Sequence, residues 1–359
     1  MRAPSILRAV VIVGLASGFA IASISSADAQ KVVRWKMQSA WGSSVPHVGT
    51  SAVRFIKNVE AMSGGTLKIE LFEPRALVPA RECFDAVSKG VIESCWTLVG
   101  LQSPNIPALA FFAAVPFGGG LGEFLAWKWF GGGNKLKDEI YAKHNLIAFD
   151  SFAIGPESSG WFRNEITSVD QLKGLKMRIL GLAGKVLKKF GVSTHLLQPS
   201  DIYHALERGV LDAAEFSMPS LDITLGFHQI VKNNYHPGWH QPVTVGELLI
   251  NGDTWNKLSE QHKAIIRVAL RENVIHTYAE TEAKNFGVMQ EMTSKHGVTI
   301  QRWPDEILRR FEKAWREVVE EESARDPLFK RVADSYFRFR KQYRLWGDAQ
   351  FLKSTYLDE

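Results

Sequence analysis

The sequence predicts an α/β protein of two lobes with a cleft between them, and three observations carry that prediction. Strand and helix signals alternate through the first hundred residues, a helix–glycine–strand unit near residue 90 returns near residue 209, and the last hundred residues carry helical apolar stripes.

The elements follow in order. Arg2 and Arg8 precede an apolar run from Ala9 to Ile24 that ends at Ala27-Asp28-Ala29, the pattern of a signal peptide over residues 1–29. The run is shorter than the roughly twenty apolar residues a spanning helix needs. The mature chain is therefore expected to begin near Gln30 and to reside in the periplasm. Val32 to Met37 reads as a strand, and Ala52, Phe55, Ile56, Val59 and Met62 fall at helical spacing. Ser63-Gly64-Gly65 ends that helix, and Thr66 to Phe72 alternates as the next strand. A helix holding Phe84 and Val87 stops at Gly90, before a short strand from Val91 to Leu98.

The run Asp85-Ala-Val-Ser-Lys-Gly-Val-Ile-Glu-Ser-Cys95 is echoed by His204-Ala-Leu-Glu-Arg-Gly-Val-Leu-Asp-Ala-Ala214. A Gly-led strand lies upstream of each, Leu67-Lys-Ile-Glu-Leu71 and Leu175-Lys-Met-Arg-Ile179, which suggests two similar lobes. The plainer alternative is that such junctions look alike in any α/β protein. Leu146 to Phe152 and Val243 to Asn251, the latter after the turn-rich stretch Tyr235 to Pro242, are the expected crossovers at a hinge. This gives a first lobe of residues 30–152 plus 246–300 and a second of 153–245. From Trp255 the chain reads as helical. Residues 301–359 hold one stripe of Ile307, Leu308, Phe311, Trp315, Val318 and Val319 and another of Val332, Tyr336, Phe339 and Tyr343. The second stripe, flanked by Arg331, Arg338, Arg340, Lys341 and Arg344, suits a helix that packs across the lobes or in a homodimer better than one on a membrane surface.

Composition narrows the function. The chain of 359 residues is 45% hydrophobic and 23% charged, ample for a core of two lobes. Its net charge of +5 is mild and scattered, which suits an anionic ligand, and no nucleic-acid motif accompanies it. No GxSxG, HExxH or SxxK motif is present, and the ten His show no ligand spacing. Gly118 to Gly120 and Gly131 to Gly133 read as turns around a helix with Trp127 and Trp129. Cys83 and Cys95 are expected to be buried free thiols, with a bridge as the alternative.

Among eleven Trp, four lie near predicted strand ends where cleft walls form: Trp41, Trp96, Trp161 and Trp239. Arg178 sits in an apolar strand and needs an acceptor. Its planar fork suits a carboxylate, belonging either to a ligand or to a protein acid.

The runs Trp35-Lys-Met-Gln-Ser-Ala-Trp41, Val59-Glu-Ala-Met-Ser-Gly-Gly-Thr-Leu-Lys-Ile69, Phe84-Asp-Ala-Val-Ser-Lys-Gly90, Leu172-Lys-Gly-Leu-Lys-Met-Arg178 and Gly209-Val-Leu-Asp-Ala-Ala-Glu-Phe216 span nearly the whole mature chain. Together they resemble the DctP family of solute-binding receptors of tripartite ATP-independent periplasmic (TRAP) transporters. Gly131-Gly-Gly, Gly160-Trp-Phe, Leu225-Gly-Phe and Tyr235-His-Pro-Gly-Trp are most similar to the branch that binds 2-oxo acids and related monocarboxylates.

The resemblance implies a type II periplasmic-binding-protein fold with a helical C-terminus, a receptor rather than an enzyme, and TRAP membrane subunits as partners in sodium-driven uptake. It implies that Arg178 fixes the ligand carboxylate. In the 2-oxo acid branch a metal bridges protein and ligand. The matching places here are Glu157, Glu215, the carbonyl of Phe216, and Gln241, with acid and amide exchanged between the first and last, and these oxygens suit Na+ or Ca2+. The alternative is that Glu157 and Glu215 are hydrogen-bonded loop acids. Trp41 and Phe216 would close over the ligand's tail. The rival function is a secreted enzyme acting on a small carboxylic acid.

Overall fold

Parallel strands need crossovers, and the N-terminal third supplies them with amphipathic helices. The computed structural model describes residues 32–102, 104–179, 181–197 and 199–350; the expected leader lies outside them. β1 (Val33–Ser39), α1 (Thr50–Met62), β2 (Leu67–Phe72), α2 (Cys83–Ser88) and β3 (Ser94–Thr97) realise the predicted alternation. α3 (Leu121–Trp129) and α4 (Gly133–Ala142) follow, flanked by the glycine turns, and lead to the crossover strand β4 (Leu146–Ile154). The second half runs through β5 (Gly160–Phe162), β6 (Lys176–Arg178), α5 (Gly181–Lys188), β7 (Ser193–His195), α6 (Pro199–Glu207) and β8 (Ala213–Ala214). Then come α7 (Pro219–Asp222), α8 (Phe227–Ile230), β9 (Asn233–His236) and the return strand β10 (Thr244–Asn251). α9 (Gly252–Asn256), α10 (Glu260–His296), β11 (Thr299–Arg302), α11 (Asp305–Arg325) and α12 (Pro327–Ala349) complete the chain.

Two sheets result, a five-stranded one ordered β2-β1-β3-β10-β4 and a six-stranded one ordered β11-β9-β5-β8-β6-β7. In the first, β1 lies parallel to β2 and β3, while β10 runs antiparallel to both β3 and β4. β11 corrects the all-helical reading after Trp255, because it pairs in parallel with β9 and so belongs to the second sheet. Only four residues long, it falls between helical stripes and leaves little period-2 signal.

The echo corresponds to matching local structure. Gly90 (φ +70°) and Gly209 (φ +69°) end α2 and α6 in the left-handed region that favours glycine, and β3 and β8 follow. The upstream strands, however, match one step differently from the sequence reading. β6 is the middle of β7-β6-β8 as β1 is the middle of β2-β1-β3, so the counterpart of β6 is β1 and not β2. Gln38 pairs with Cys95 and Arg178 with Ala214, which places Gln38 and Arg178 at equivalent positions.

The cysteine expectation is also corrected, since Cys83 and Cys95 form a disulfide. The α2–β3 turn brings the first residue of the helix over the strand, with the two Cα atoms 6.1 Å apart, within bridging reach.

β4 and β10, the crossover strands, are tied by a buried ionic cluster. Lys137 Nζ lies 3.3 Å from Asp150 Oδ1 and 2.9 Å from Glu247 Oε1, Lys128 Nζ lies 2.6 Å from Asp150, and Tyr141 donates to Glu247 at 2.7 Å. Every charge there has an opposite partner, so the crossovers form a stiff base.

The stripe on α12 packs inside its own chain. Phe329 and Tyr336 meet Phe111, Tyr336 also meets Trp127, and Arg340 donates to Glu123 and to the Phe117 carbonyl. Leu345 and Trp346 stay exposed at its end. No helix among the described residues is long and apolar enough to cross a membrane.

Candidate functional site

Residues at or just past the carboxyl ends of β1, β3, β6 and β8, namely Ala40, Leu98, Arg178 and Phe216, face one place. A cavity of about 90 Å³ lies there. The first-sheet side contributes Trp41, Val48, Leu98 and Phe152, and the second-sheet side contributes Glu157, Arg178, Phe216 and Gln241.

Arg178, the last residue of β6, is 6% exposed. Its Nη1 donates to the Glu215 carbonyl and, at 3.1 Å, to Glu215 Oε2. Phe216 stacks beneath the guanidinium, 5.0 Å from the ring centroid, and Nε has no hydrogen-bond partner among the described residues. One edge of the fork thus holds a protein acid, while the residue also lines the cavity. Burial pulls Arg178 below its ordinary pKa, opposed by Glu215, Glu157 and Asp222.

Glu157 lies between β4 and β5. Its Oε1 accepts from Gln241 Nε2 and Thr244 Oγ1, both at 2.8 Å, and its Oε2 has no hydrogen-bond partner among the described residues. Gly238 sets this geometry. A Cβ there would stand 2.0 Å from the Glu157 carbonyl oxygen, so only glycine lets the 235–241 turn approach so closely.

Glu215 leaves β8 with its amide donating to the Arg178 carbonyl at 2.9 Å. Its Oε1 faces His240 Nε2 at 3.4 Å, and that nitrogen lies 4.0 Å from Glu157 Oε2. Glu157, Glu215 and His240 are all buried, and a donor atom from each lies within 4.8 Å of the other two. Burial, and next the charge of Glu215, push the Glu157 carboxyl well above its ordinary range. Burial would raise Glu215 too, but His240 and Arg178 outweigh it and hold Glu215 low.

Five of the six residues expected from sequence line the cavity, and Glu215 is tied to it through Arg178. Two buried carboxylates, each with one oxygen anchored and one facing the other acid, suit a cation between them. Gln241 lines the cavity, and its amide nitrogen braces Glu157 and Thr244. Of the four tryptophans weighed for the cleft, only Trp41 lines it. Trp96, Trp161 and Trp239 are core, with Trp96 donating to the Val48 carbonyl and Trp161 to Asp222.

Sequence reasoning missed His240, Thr244 and Asp222. For His240 the signal was its position directly before Gln241 in the turn already singled out.

Comparison with known proteins shows the family and the fold. The family model for DctP, bacterial extracellular solute-binding protein family 7, matches residues 38–326. A monocarboxylate 2-oxoacid-binding periplasmic protein of Nostoc sp. is 35% identical over 316 residues, covering 88% of this chain and 86% of the relative. A TRAP transporter solute-binding protein from Bordetella bronchiseptica, solved with copurified calcium and picolinate, superposes with a TM-score of 0.87 at 31% identity, covering 91% of this chain and 96% of that one. One from Pseudoalteromonas atlantica with bound sodium and pyruvate gives 0.86 at 31% identity, covering 92% and 99%. The chain belongs to the DctP family of extracellular solute-binding proteins, whose two-lobed α/β fold it shares.

Proposed function

We propose that the chain is the periplasmic receptor of a TRAP transporter and that it binds a small 2-oxo or 2-hydroxy monocarboxylate in the cavity between its sheets. The observation that carries the reading is Arg178, a buried guanidinium beside Glu157 and Glu215 in a cavity otherwise walled largely by apolar side chains. Pyruvate and picolinate, the ligands of the two similar structures, share a carboxylate with a second donor atom next to it, the pattern a guanidinium and a cation can grip together.

In this reading Arg178 pairs with the carboxylate through the part of its fork not held by Glu215. Glu157 and Glu215 would hold a cation such as the sodium or calcium of the relatives, with the Phe216 carbonyl as the proposed further donor, while Gln241 and Thr244 fix the orientation of Glu157. Trp41 and Phe216 exclude water from the short tail. When bound, the cation supplies a positive charge for the acid's second oxygen.

The leader over residues 1–29 supports export, and TRAP membrane subunits are the proposed partners for sodium-driven uptake. A homodimer through α12 would rest mainly on the exposed Leu345 and Trp346, because Val332 and Tyr336 of the stripe are covered within the chain and Phe339 and Tyr343 are half-buried.

Calorimetry with pyruvate and longer 2-oxo acids tests the reading. Arg178→Ala is expected to weaken binding by about a hundredfold or more, since it removes the buried charge that pairs with the carboxylate. An unchanged affinity in a variant with the parent's circular dichroism would overturn it.

A further inference from the structure

We infer that His240 is a metal ligand and that Glu157, Glu215 and His240 together select a borderline transition ion of the zinc type over sodium or calcium. The inference rests on the reading of this cavity as a cation-assisted carboxylate site. It changes the chemistry of the cation from one held by oxygen alone to one held by nitrogen and oxygen.

The geometry points this way on four counts. His240 is 1% exposed, and neither ring nitrogen has a hydrogen-bond partner among the described residues. A buried imidazole left so is destabilising unless something else binds it. Its Nε2 is turned to the two carboxylates, 3.4 Å from Glu215 Oε1 and 4.0 Å from Glu157 Oε2. Zinc bonds of about 2.0–2.1 Å in a tetrahedral shell set donors roughly 3.3 Å apart, so small side-chain adjustments suffice.

The surroundings resemble the outer shell such a site requires. Each carboxylate has one oxygen anchored, Glu157 Oε1 by Gln241 and Thr244 and Glu215 Oε2 by Arg178, which leaves the other oxygen for the centre. Gln241 presents its amide nitrogen to Glu157 and Thr244. Beside the carboxylate oxygens that calcium or sodium prefers, a nitrogen therefore stands in the set. A fourth donor would come from solvent or from the bound acid.

The test uses the mature chain, stripped with chelator and titrated with Zn2+, Co2+, Ca2+ and Na+ in the absence of any acid. Zinc is expected to bind at least a hundredfold more tightly than calcium, and cobalt to give the ligand-field absorption of a low-coordinate nitrogen and oxygen site. His240→Gln should weaken zinc at least tenfold, change calcium less than threefold, and remove the cobalt bands. Equal affinity of the parent chain for zinc and calcium would overturn the inference, whether or not the variant folds. So would full carboxylate binding in chelator, with zinc without effect. A parallel titration with pyruvate separates the two readings. Zinc selectivity without binding of any acid supports the metal site and overturns the receptor, whereas acid binding with calcium alone does the reverse.

Discussion

A buried carboxylate is either well supplied with donors or protonated, and Asp222 is poorly supplied. Trp161 Nε1 donates to its Oδ2 at 2.8 Å and Ser158 Oγ at 3.4 Å, while Oδ1 has no hydrogen-bond partner among the described residues. Burial pushes its pKa from 3.8 up to about 7. The folded chain therefore keeps a proton that the unfolded chain releases as pH rises through that window, so stability is lost with rising pH by up to about 4 kcal/mol. Asp222→Asn removes this titration. Relative to the parent, the variant should gain stability between pH 5 and pH 8 in urea unfolding, and parallel profiles would mean that Asp222 is already ionised at pH 5. Arg178 could be found from sequence because an arginine in an apolar strand demands an acceptor. Asp222 could not, because what distinguishes it is a missing partner among the described residues, and partners come from segments distant in the chain; for His240 the one pointer was its place beside Gln241 in the turn.

At the scale of elements, helices with strong apolar stripes and strands flanked by glycine were legible, as α1, β2, β4, β10 and α11 show. Strands of two to four residues, β5, β7, β8 and β11, were harder to read, because their pairing depends on neighbours from elsewhere in the second sheet. The echo was legible and its upstream alignment was not. Gln38 and Arg178 share a position, yet Gln38 turns to the loop after β2, donating to the Glu73 carbonyl at 2.7 Å and accepting from Leu77 N, whereas Arg178 faces the cavity. Composition alone could not decide between thiols and a bridge; the α2–β3 turn does, by fixing the distance. A crosslink spanning 12 residues restricts the unfolded chain, so reduction, or the double change Cys83→Ser and Cys95→Ser, should lower unfolding free energy by about 3 kcal/mol. Denaturant midpoints with and without reductant measure this, and coincident midpoints would show that the bridge carries no stability.

For the molecule as a receptor, what matters is how the two sides of the cavity are held together. The crossovers are braced by the Lys137–Asp150–Glu247 cluster, so opening must be resisted mainly by contacts across the cleft. His47 supplies such a contact. It precedes α1 on the first-sheet side, is fully buried, and bonds through Nε2 to Ser220 Oγ of α7 at 2.9 Å and through Nδ1 to Glu280 of α10 at 3.2 Å. Two such bonds contribute about 1 kcal/mol each. Burial lowers the His47 pKa, so this contribution is present in full above the ordinary 6.5 and is lost as pH falls towards the depressed folded value. His47→Phe keeps a ring of similar size and removes both bonds. The dissociation rate of a bound 2-oxo acid, followed by stopped-flow tryptophan fluorescence, is then expected to rise about tenfold at pH 7.5 with little change in the association rate. The difference between parent and variant should shrink as pH falls below 6.5. Equal dissociation rates at pH 7.5 would reduce His47 to a packing residue and move the restraint on opening to other contacts across the cleft, such as that of Arg81 with the Leu196 carbonyl.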